Sequence, residues 1–246
     1  MTIKYITYLL IGLFSGFMSG MFGIGGGSVR IPLLNLAGLP LINAFGINLL
    51  VIPFSSLVGT ISHKKNLKLK IGLYMVLGGA AGSISGALLV GIISPFALAI
   101  IFVAVSVLTI LGIHLSKLAP NIHKKINPKP HIIILGAFIL NFITGMRGGS
   151  GGSLFPPFLR TLKLKIHEAV ATSLFVTTFT ATAAIAIYWQ RGDILWPPAI
   201  ATLVGSIIGS RLGSVVSLKT KPKWLEVGLT LFVIGLAVTV LIKTIK

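Results

Sequence analysis

The stretch GMFGIGGGSVRIPLL, residues 20–34, contains five glycines, followed by an arginine and a proline. Apolar sequence flanks it on both sides. A glycine inside an α-helix costs about 1 kcal/mol relative to alanine, and a proline costs more. The stretch therefore predicts an interruption between two apolar helices.

The chain is far more apolar than a soluble domain. Of its 246 residues, 54% are hydrophobic and 10% are charged, whereas soluble domains carry roughly 25% charged residues. Apolar runs close to the ~20 residues that cross a bilayer as a helix recur along the chain, so we predict an all-α integral membrane protein of the cell membrane, a bundle of about eight transmembrane helices. The predicted spans are residues 5–22, 43–62, 71–93, 96–116, 131–146, 168–189, 194–216 and 224–242.

The charge of the chain is strongly positive. Its 21 lysines and arginines stand against three acidic residues, Glu168, Asp193 and Glu226, for a formal net charge of +18. A soluble chain this basic would suggest a nucleic-acid partner. Here the lysines lie in short segments between apolar runs, as the positive-inside rule expects of cytoplasmic loops. We therefore predict membrane lipid, and no nucleic acid, as a partner.

The glycine-rich stretch occurs twice. GGSVRIPLL at 26–34 returns as GGSLFPPFL at 151–159, an offset of 125 residues. Both halves also contain a Gly-x-x-x-Gly-x-x-x-Gly pattern, and small residues at this spacing let membrane helices approach closely. Its glycines are Gly78, Gly82 and Gly86 in the first half and Gly205, Gly209 and Gly213 in the second. We divide the chain into a first membrane repeat (1–116), a basic linker loop (117–130) and a second membrane repeat (131–246).

The basic loops favour repeats of inverted topology. If only the eight spans cross the membrane, lysines and arginines divide almost evenly between its two sides. If residues 28–38 and 152–160 also cross as short broken segments, each half crosses an odd number of times and the halves are inverted. The basic loops 63–70, 117–131, 160–165 and 217–223 then share one side, which the positive-inside rule identifies as cytoplasmic. Re-entrant loops in place of short crossings remain an alternative.

The two glycine clusters are the candidate binding site. Non-helical backbone at membrane depth is tolerated only where it is buried in protein or lines a polar cavity. Glycines leave N–H groups uncovered and a following helix start is partly positive, so two facing breaks would bind an anion; tight packing alone is the alternative. Polar residues on the helices that follow join the candidate set. The set is Gly25, Gly26, Gly27, Ser28, Asn48, Gly151, Gly152, Ser153, Ser173 and Thr177.

Four charged or titratable residues complete the candidates. Arg147 directly precedes the second cluster, so we expect it to contribute more to anion binding than Arg30, for which an interfacial position is equally compatible with the sequence. Glu168, at the start of a span, is the candidate for a coupling proton, with ordinary capping of the helix as the alternative. His63 ends a span and is expected at the membrane interface.

These motifs resemble the TauE/SafE family of membrane proteins, which is associated with export of sulfite and related sulfur oxyanions or organosulfonates. The resemblance rests on GxxSGxxxGxFGIGGGxxxxPLL at 12–34, GGSGGSLFPPFL at 148–159 and HEAVATSLF at 167–175. It implies a transporter that is driven by an ion gradient and has no ATPase.

Three functional classes follow from these observations. A secondary transporter of a small anion, acting as an exporter by alternating access, fits best; an anion channel and a structural membrane subunit remain alternatives. An enzyme is not expected, because the chain contains no HExxH motif, paired carboxylates or nucleophile arrangement. We expect no cofactor and no metal, and the prediction allows for a homodimer.

Overall fold

The structure is a computed structural model and describes residues 2–90 and 129–245, together with residues 94, 96, 97, 100, 101, 103, 104, 107 and 111. Throughout these residues the regular structure is helical, without strands. The two described ranges contain α1 (Thr2–Phe22), α2 (Gly27–Leu36), α3 (Leu41–Ser62), a 3₁₀ turn (Lys64–Asn66), α4 (Leu69–Leu88), α5 (Pro130–Gly145), α6 (Phe155–Thr161), α7 (Ile166–Gln190), α8 (Trp196–Lys219) and α9 (Pro222–Ile245).

The prediction of a helical membrane protein is confirmed. Among the described residues, α1, α3, α4, α7 and α8 are long and apolar enough to cross a membrane, and α5 is a shorter apolar helix. The predicted span 96–116 lies largely outside the described residues, so the count of eight stays a prediction. Many large apolar side chains on these helices are exposed, as expected of surfaces that face lipid.

Glycines join α1 to α8 along their length. The backbone of α8 at Thr202, Ser206 and Ser210 lies directly against glycines of α1, at positions where a Cβ atom would collide with it. Gly12, Gly16 and Gly20 meet Thr202, Ser206 and Ser210 in the same ascending order, so α1 and α8 run side by side in the same direction. The glycines involved are Gly12, Gly16 and Gly20 of α1 and Gly205, Gly209 and Gly213 of α8.

A second glycine-mediated pair joins α4 to α5. Gly78, Gly82 and Gly86 of α4 lie against the backbone of Ile134, Phe138 and Phe142 of α5, again in ascending order on both helices. These helices therefore also run in the same direction. The close packing predicted from the repeated glycine spacing is confirmed for both halves.

The long helices α3 and α7 pack against each other at the centre of the molecule, and each also packs on a helix of the other half, α3 on α8 and α7 on α4. Each is preceded by a short helix, α2 or α6, that begins directly after a glycine cluster. These short helices occupy the predicted segments 28–38 and 152–160. Two residues after the end of each lies a residue with positive φ, Gly38 (φ 92°) and its repeat equivalent Lys163 (φ 70°).

Candidate functional site

The first glycine cluster forms a break between α1 and α2. Gly23, Gly25 and Gly26 have φ values of 74°, 70° and 76°, in the left-handed region that L side chains rarely adopt. The chain leaves α1 after Phe22 and begins α2 at Gly27, with the carbonyl of Gly26 accepting the N–H of Arg30 at 2.9 Å. The predicted interruption is therefore present, and glycine is what permits its backbone geometry.

The second cluster forms an equivalent break between α5 and α6. Gly148 and Gly151 have φ values of 67° and 64° and correspond to Gly23 and Gly26 at the offset of 125 residues. The N–H of Gly151 donates to the Thr144 hydroxyl at 2.6 Å. The two breaks thus share this pair of left-handed glycines, whereas the Thr144 contact has no counterpart, since the hydroxyl of the equivalent Ser19 has no partner among the described residues.

The two breaks lie against each other. A Cβ atom added at Gly152 would lie 2.5 Å from the Ile24 carbonyl oxygen and 3.0 Å from the Gly25 nitrogen. The Cα of Gly152 would lie 3.7 Å from a Cβ added at Gly25. The contact therefore requires glycine at position 152, whereas Gly25 is constrained by its φ of 70° and by the Thr177 methyl group, 2.8 Å from an added Cβ.

Each break is held by a polar side chain from the long helix of the other half. The Asn48 amide on α3 donates to the Gly148 carbonyl at 2.7 Å, and the Ser173 hydroxyl on α7 donates to the Gly23 carbonyl at 2.5 Å. Asn48 and Ser173 are themselves equivalent at the offset of 125 residues, as are the two carbonyls. The hydrogen bonds are therefore reciprocal and satisfy carbonyls that the helices leave unpaired.

Arg30 lies in the first turn of α2, next to the first break, and is fully buried. Its Nη1 donates to the Asn48 Oδ1 at 2.7 Å and its Nη2 to the Ser206 hydroxyl at 3.0 Å, while Nε has no hydrogen-bond partner among the described residues. Nη2 would lie 2.9 Å from a Cβ added at Gly26. An interfacial Arg30, which the sequence left open, is therefore wrong: α2 packs against α3 and α1, and its Arg30 side chain reaches Ser206 of α8 inside the protein.

The acidic side chains of the chain are engaged elsewhere. The chain has three acidic residues, and each forms an ion pair with another basic residue. Glu168 pairs with Lys68 at 2.9 Å, Glu226 with Arg160 at 2.5 Å and Asp193 with Arg191 at 3.0 Å. No side-chain carboxylate of this protein therefore remains to neutralise Arg30.

Glu168 has the contacts of a helix cap. Its carboxylate accepts the Lys165 N–H at 2.9 Å, three residues earlier, and pairs with Lys68 at the end of the α3–α4 connection. The capping alternative raised by the sequence is thus present in the structure, and the coupling role stays a prediction.

The remaining candidates lie around the breaks at different depths. Arg147 is half-buried beside Gly148, and Ser28 is half-buried in the first turn of α2, whereas Ser153 is buried. Thr177 is fully buried with its methyl group against Gly25, and its hydroxyl has no partner among the described residues.

Sequence reasoning missed Ser206 and Asn141. Ser206 bridges the halves, accepting from Arg30 and donating to the Gly12 carbonyl at 3.0 Å. Asn141 is fully buried on α5, and its Oδ1 would lie 2.9 Å from a Cβ added at Gly151. An amide within an apolar span is a signal that could have identified Asn141. A serine within a small-residue helix gives no such signal.

His63 lies directly after the end of α3, and its position at the membrane interface stays a prediction. Its side chain is fully buried, with Nε2 3.3 Å from the Gly20 carbonyl oxygen. Burial lowers the pKa of His63 to about 4. The imidazole is therefore neutral near pH 7 and adds no charge to the end of α3.

Comparison with known proteins gives a consistent result across the chain. A profile of the family described as "Sulfite exporter TauE/SafE" matches residues 8–240. Three similar proteins carry the description "Probable membrane transporter protein": YunE of Bacillus subtilis, ORF9 of Sinorhizobium sp and MJ0441 of Methanocaldococcus jannaschii. Each is 27% identical to the chain. The match covers 89% of this chain and 91% of YunE, 96% of this chain and 92% of ORF9, and 90% of this chain and 90% of MJ0441. No solved structure matches the chain significantly.

The contact between the breaks leads to a first prediction. Gly152→Ala places a methyl group 2.5 Å from the Ile24 carbonyl oxygen, so it should separate the two breaks and stop anion uptake in proteoliposomes. Gly235→Ala on α9, where an added Cβ meets nothing within 4 Å, is the matched control and should transport normally. Uptake by a folded Gly152→Ala protein at the rate of the unchanged protein would contradict a functional contact between the breaks.

Proposed function

The chain belongs to the sulfite exporter TauE/SafE family of membrane transporters, and on this premise we propose that it is a secondary transporter that exports a small anion, such as sulfite or an organosulfonate, by alternating access. The anion binds at Arg30, beside the first glycine break. The observation that carries this proposal is the burial of Arg30 in a chain whose acidic side chains are all paired elsewhere.

A buried guanidinium needs a negative partner. Removing an ion from water costs several kcal/mol even after the protein relaxes, unless an opposite charge and hydrogen bonds compensate for the lost hydration. Asn48 and Ser206 supply two hydrogen bonds to Arg30 but no charge. A transported anion supplies the missing charge, and its affinity for the site follows from the same electrostatics.

The donors around Arg30 suit an oxyanion. A guanidinium has five N–H groups in a planar fork, which matches two oxygens of one acid group. Two of these groups are used by Asn48 and Ser206, and Nε–H is among those left for a ligand. Arg30 also lies in the first turns of α2, which begins at Gly27, so the partial positive charge of the helix start favours the same ligand. Sulfite and sulfonate groups present suitable oxygens.

The directions of the helices support repeats of inverted topology. Gly46 near the start of α3 lies against Asp193 just before α8, and Ser62 at the end of α3 bonds to Arg211 near the end of α8, so α3 runs parallel to α8. The short connection after α3 sends α4 back in the opposite direction, and α5 runs parallel to α4. Because α1 runs with α8, α1 and its repeat equivalent α5 run in opposite directions.

Two ion pairs support a common side for the basic loops. Lys68–Glu168 joins the connection after α3 to the start of α7, and Arg160–Glu226 joins the end of α6 to the start of α9. Loops 63–70, 160–165 and 217–223 therefore lie at the same end of the bundle. The positive-inside rule assigns that end to the cytoplasm.

The occluded position of Arg30 supports a transporter over an open channel. Its side chain is fully buried, and each break is held by a hydrogen bond from the opposite half. Release of a bound anion to either side thus requires the halves to move relative to each other, which is the motion that alternating access uses.

The topology can be tested by thiol labelling, since the chain contains no cysteine of its own. Lys64→Cys and Lys165→Cys should both be protected from an impermeant thiol reagent in intact cells, and Arg191→Cys should react. Labelling of Lys165→Cys from outside, with Lys64→Cys and Arg191→Cys both protected, would contradict inverted repeats and indicate that only the eight predicted spans cross the membrane.

The anion site can be tested with arginine variants in proteoliposomes. Arg30→Gln should weaken binding of sulfite, sulfoacetate, sulfate or thiosulfate by about 10- to 100-fold, the worth of a charge-assisted hydrogen bond. Arg147→Gln should have the smaller effect because Arg147 is only half-buried, the reverse of the order expected from sequence. Arg211→Gln, on the exposed face of α8, is the control. Counterflow of the anion equal to that of the unchanged protein in Arg30→Gln would refute the proposed site.

A further inference from the structure

We propose that Asn48 is a positioning residue that orients Arg30 for the anion and links the anion site to the second glycine break, whereas its repeat equivalent Ser173 only holds the two halves together. This inference rests on the proposed anion transport and deepens it.

The Asn48 side chain is engaged at both ends. Its Oδ1 accepts from Arg30 Nη1 at 2.7 Å, and its Nδ2 donates to the Gly148 carbonyl at 2.7 Å. Nδ2 would also lie 2.6 Å from a Cβ added at Gly27, so the amide is confined between α2 and the second break. One planar group therefore connects the guanidinium of the first half to the backbone of the second.

The equivalent position of the second repeat lacks this connection. Ser173 holds the Gly23 carbonyl as Asn48 holds Gly148, but the residue equivalent to Arg30 is Phe155. The Phe155 ring lies against Gly151, 2.6 Å from where a Cβ would be, just as the Arg30 guanidinium lies against Gly26. Phe155 is fully buried in an apolar cluster with Met75, Leu159 and Val176.

Positions 48 and 173 therefore differ in role, although they are equivalent in the repeat. A hydroxyl is sufficient to hold a carbonyl across the halves, as at Ser173. An amide supplies an acceptor for Arg30 and a donor for Gly148 at the same time. Because hydrogen bonds in a chain polarise one another, an anion that draws on the guanidinium changes the strength of the Asn48–Gly148 bond as well. A charge bound beside the first break is thereby transmitted through Asn48 to the second break.

The experiment compares Asn48→Asp, Asn48→Ala and Ser173→Ala, with uptake of sulfite, sulfoacetate, sulfate and thiosulfate as the assay and thermal unfolding in detergent as the folding control. Asn48→Asp preserves size and the acceptor for Arg30 but loses the donor to the Gly148 carbonyl and places a fixed carboxylate on the guanidinium, so KM should rise by about 100-fold or more in a protein that remains folded. Asn48→Ala should raise KM about tenfold, the worth of an orienting hydrogen bond to a charged group. Ser173→Ala should lower kcat and leave KM within about twofold, because it removes a contact between the halves without touching Arg30.

A merely structural role for Asn48 gives a different pattern. Asn48→Ala, Asn48→Asp and Ser173→Ala would then have similar effects, because each removes the donor of one hydrogen bond between the halves, and all three would lower kcat and leave KM within about twofold. This pattern would overturn the inference. Arg30→Gln in the same assay distinguishes failure of the positioning role of Asn48 from failure of the proposed anion site. Loss of binding in Arg30→Gln with normal KM in both Asn48 variants would contradict the positioning role alone. Normal binding in Arg30→Gln, or no uptake of any of the four anions by the unchanged chain, would overturn the proposed function and this inference with it.

Discussion

Backbone that leaves a helix inside a membrane has no water to satisfy its polar groups, and this constraint shapes the centre of the molecule. The solution is reciprocal: the carbonyl of Gly148 is bonded by Asn48, and that of Gly23 by Ser173. Neither half could satisfy its own break in this way, because each donor belongs to the other half. The two halves therefore depend on each other at the place where both interrupt their helices.

The same constraint explains the abundance of glycine. Reciprocal hydrogen bonds require α3 and α7 to bring the breaks into contact, and that contact is made by backbone alone at Gly25 and Gly152. The surrounding helices are held at similarly close range by the glycine spacing on α4 and α8. Against this nearly symmetric frame, the exchange of arginine for phenylalanine at positions 30 and 155 is the main chemical difference at the centre, and it gives one half the buried charge.

The sequence predicts much of this frame. Apolar length identifies the long helices, glycine and proline locate both breaks, and the offset of 125 residues pairs Gly23 with Gly148 before any contact is known. It could not place Arg30, because three residues of separation from Gly27 say nothing about how α2 packs or about Ser206 of α8, which receives the guanidinium. The position of Arg147 directly beside glycines favoured it over Arg30 as the anion-binding residue, because distance along the chain carries no information about which side chain is buried. Burial depends on contacts between distant elements, which local spacing does not contain.

The central claim is that a buried arginine beside a helix break binds the transported anion, and locating a bound anion tests it most directly. Selenite has the pyramidal oxyanion shape of sulfite and a strong anomalous X-ray signal, so crystals grown with it would show where the anion binds. The account predicts an anomalous selenium peak within hydrogen-bonding distance of the Arg30 guanidinium, beside Gly26 and Asn48. Anomalous peaks confined to the basic loops 63–70 and 217–223, with the Arg30 guanidinium bonded only to Asn48 and Ser206, would contradict it.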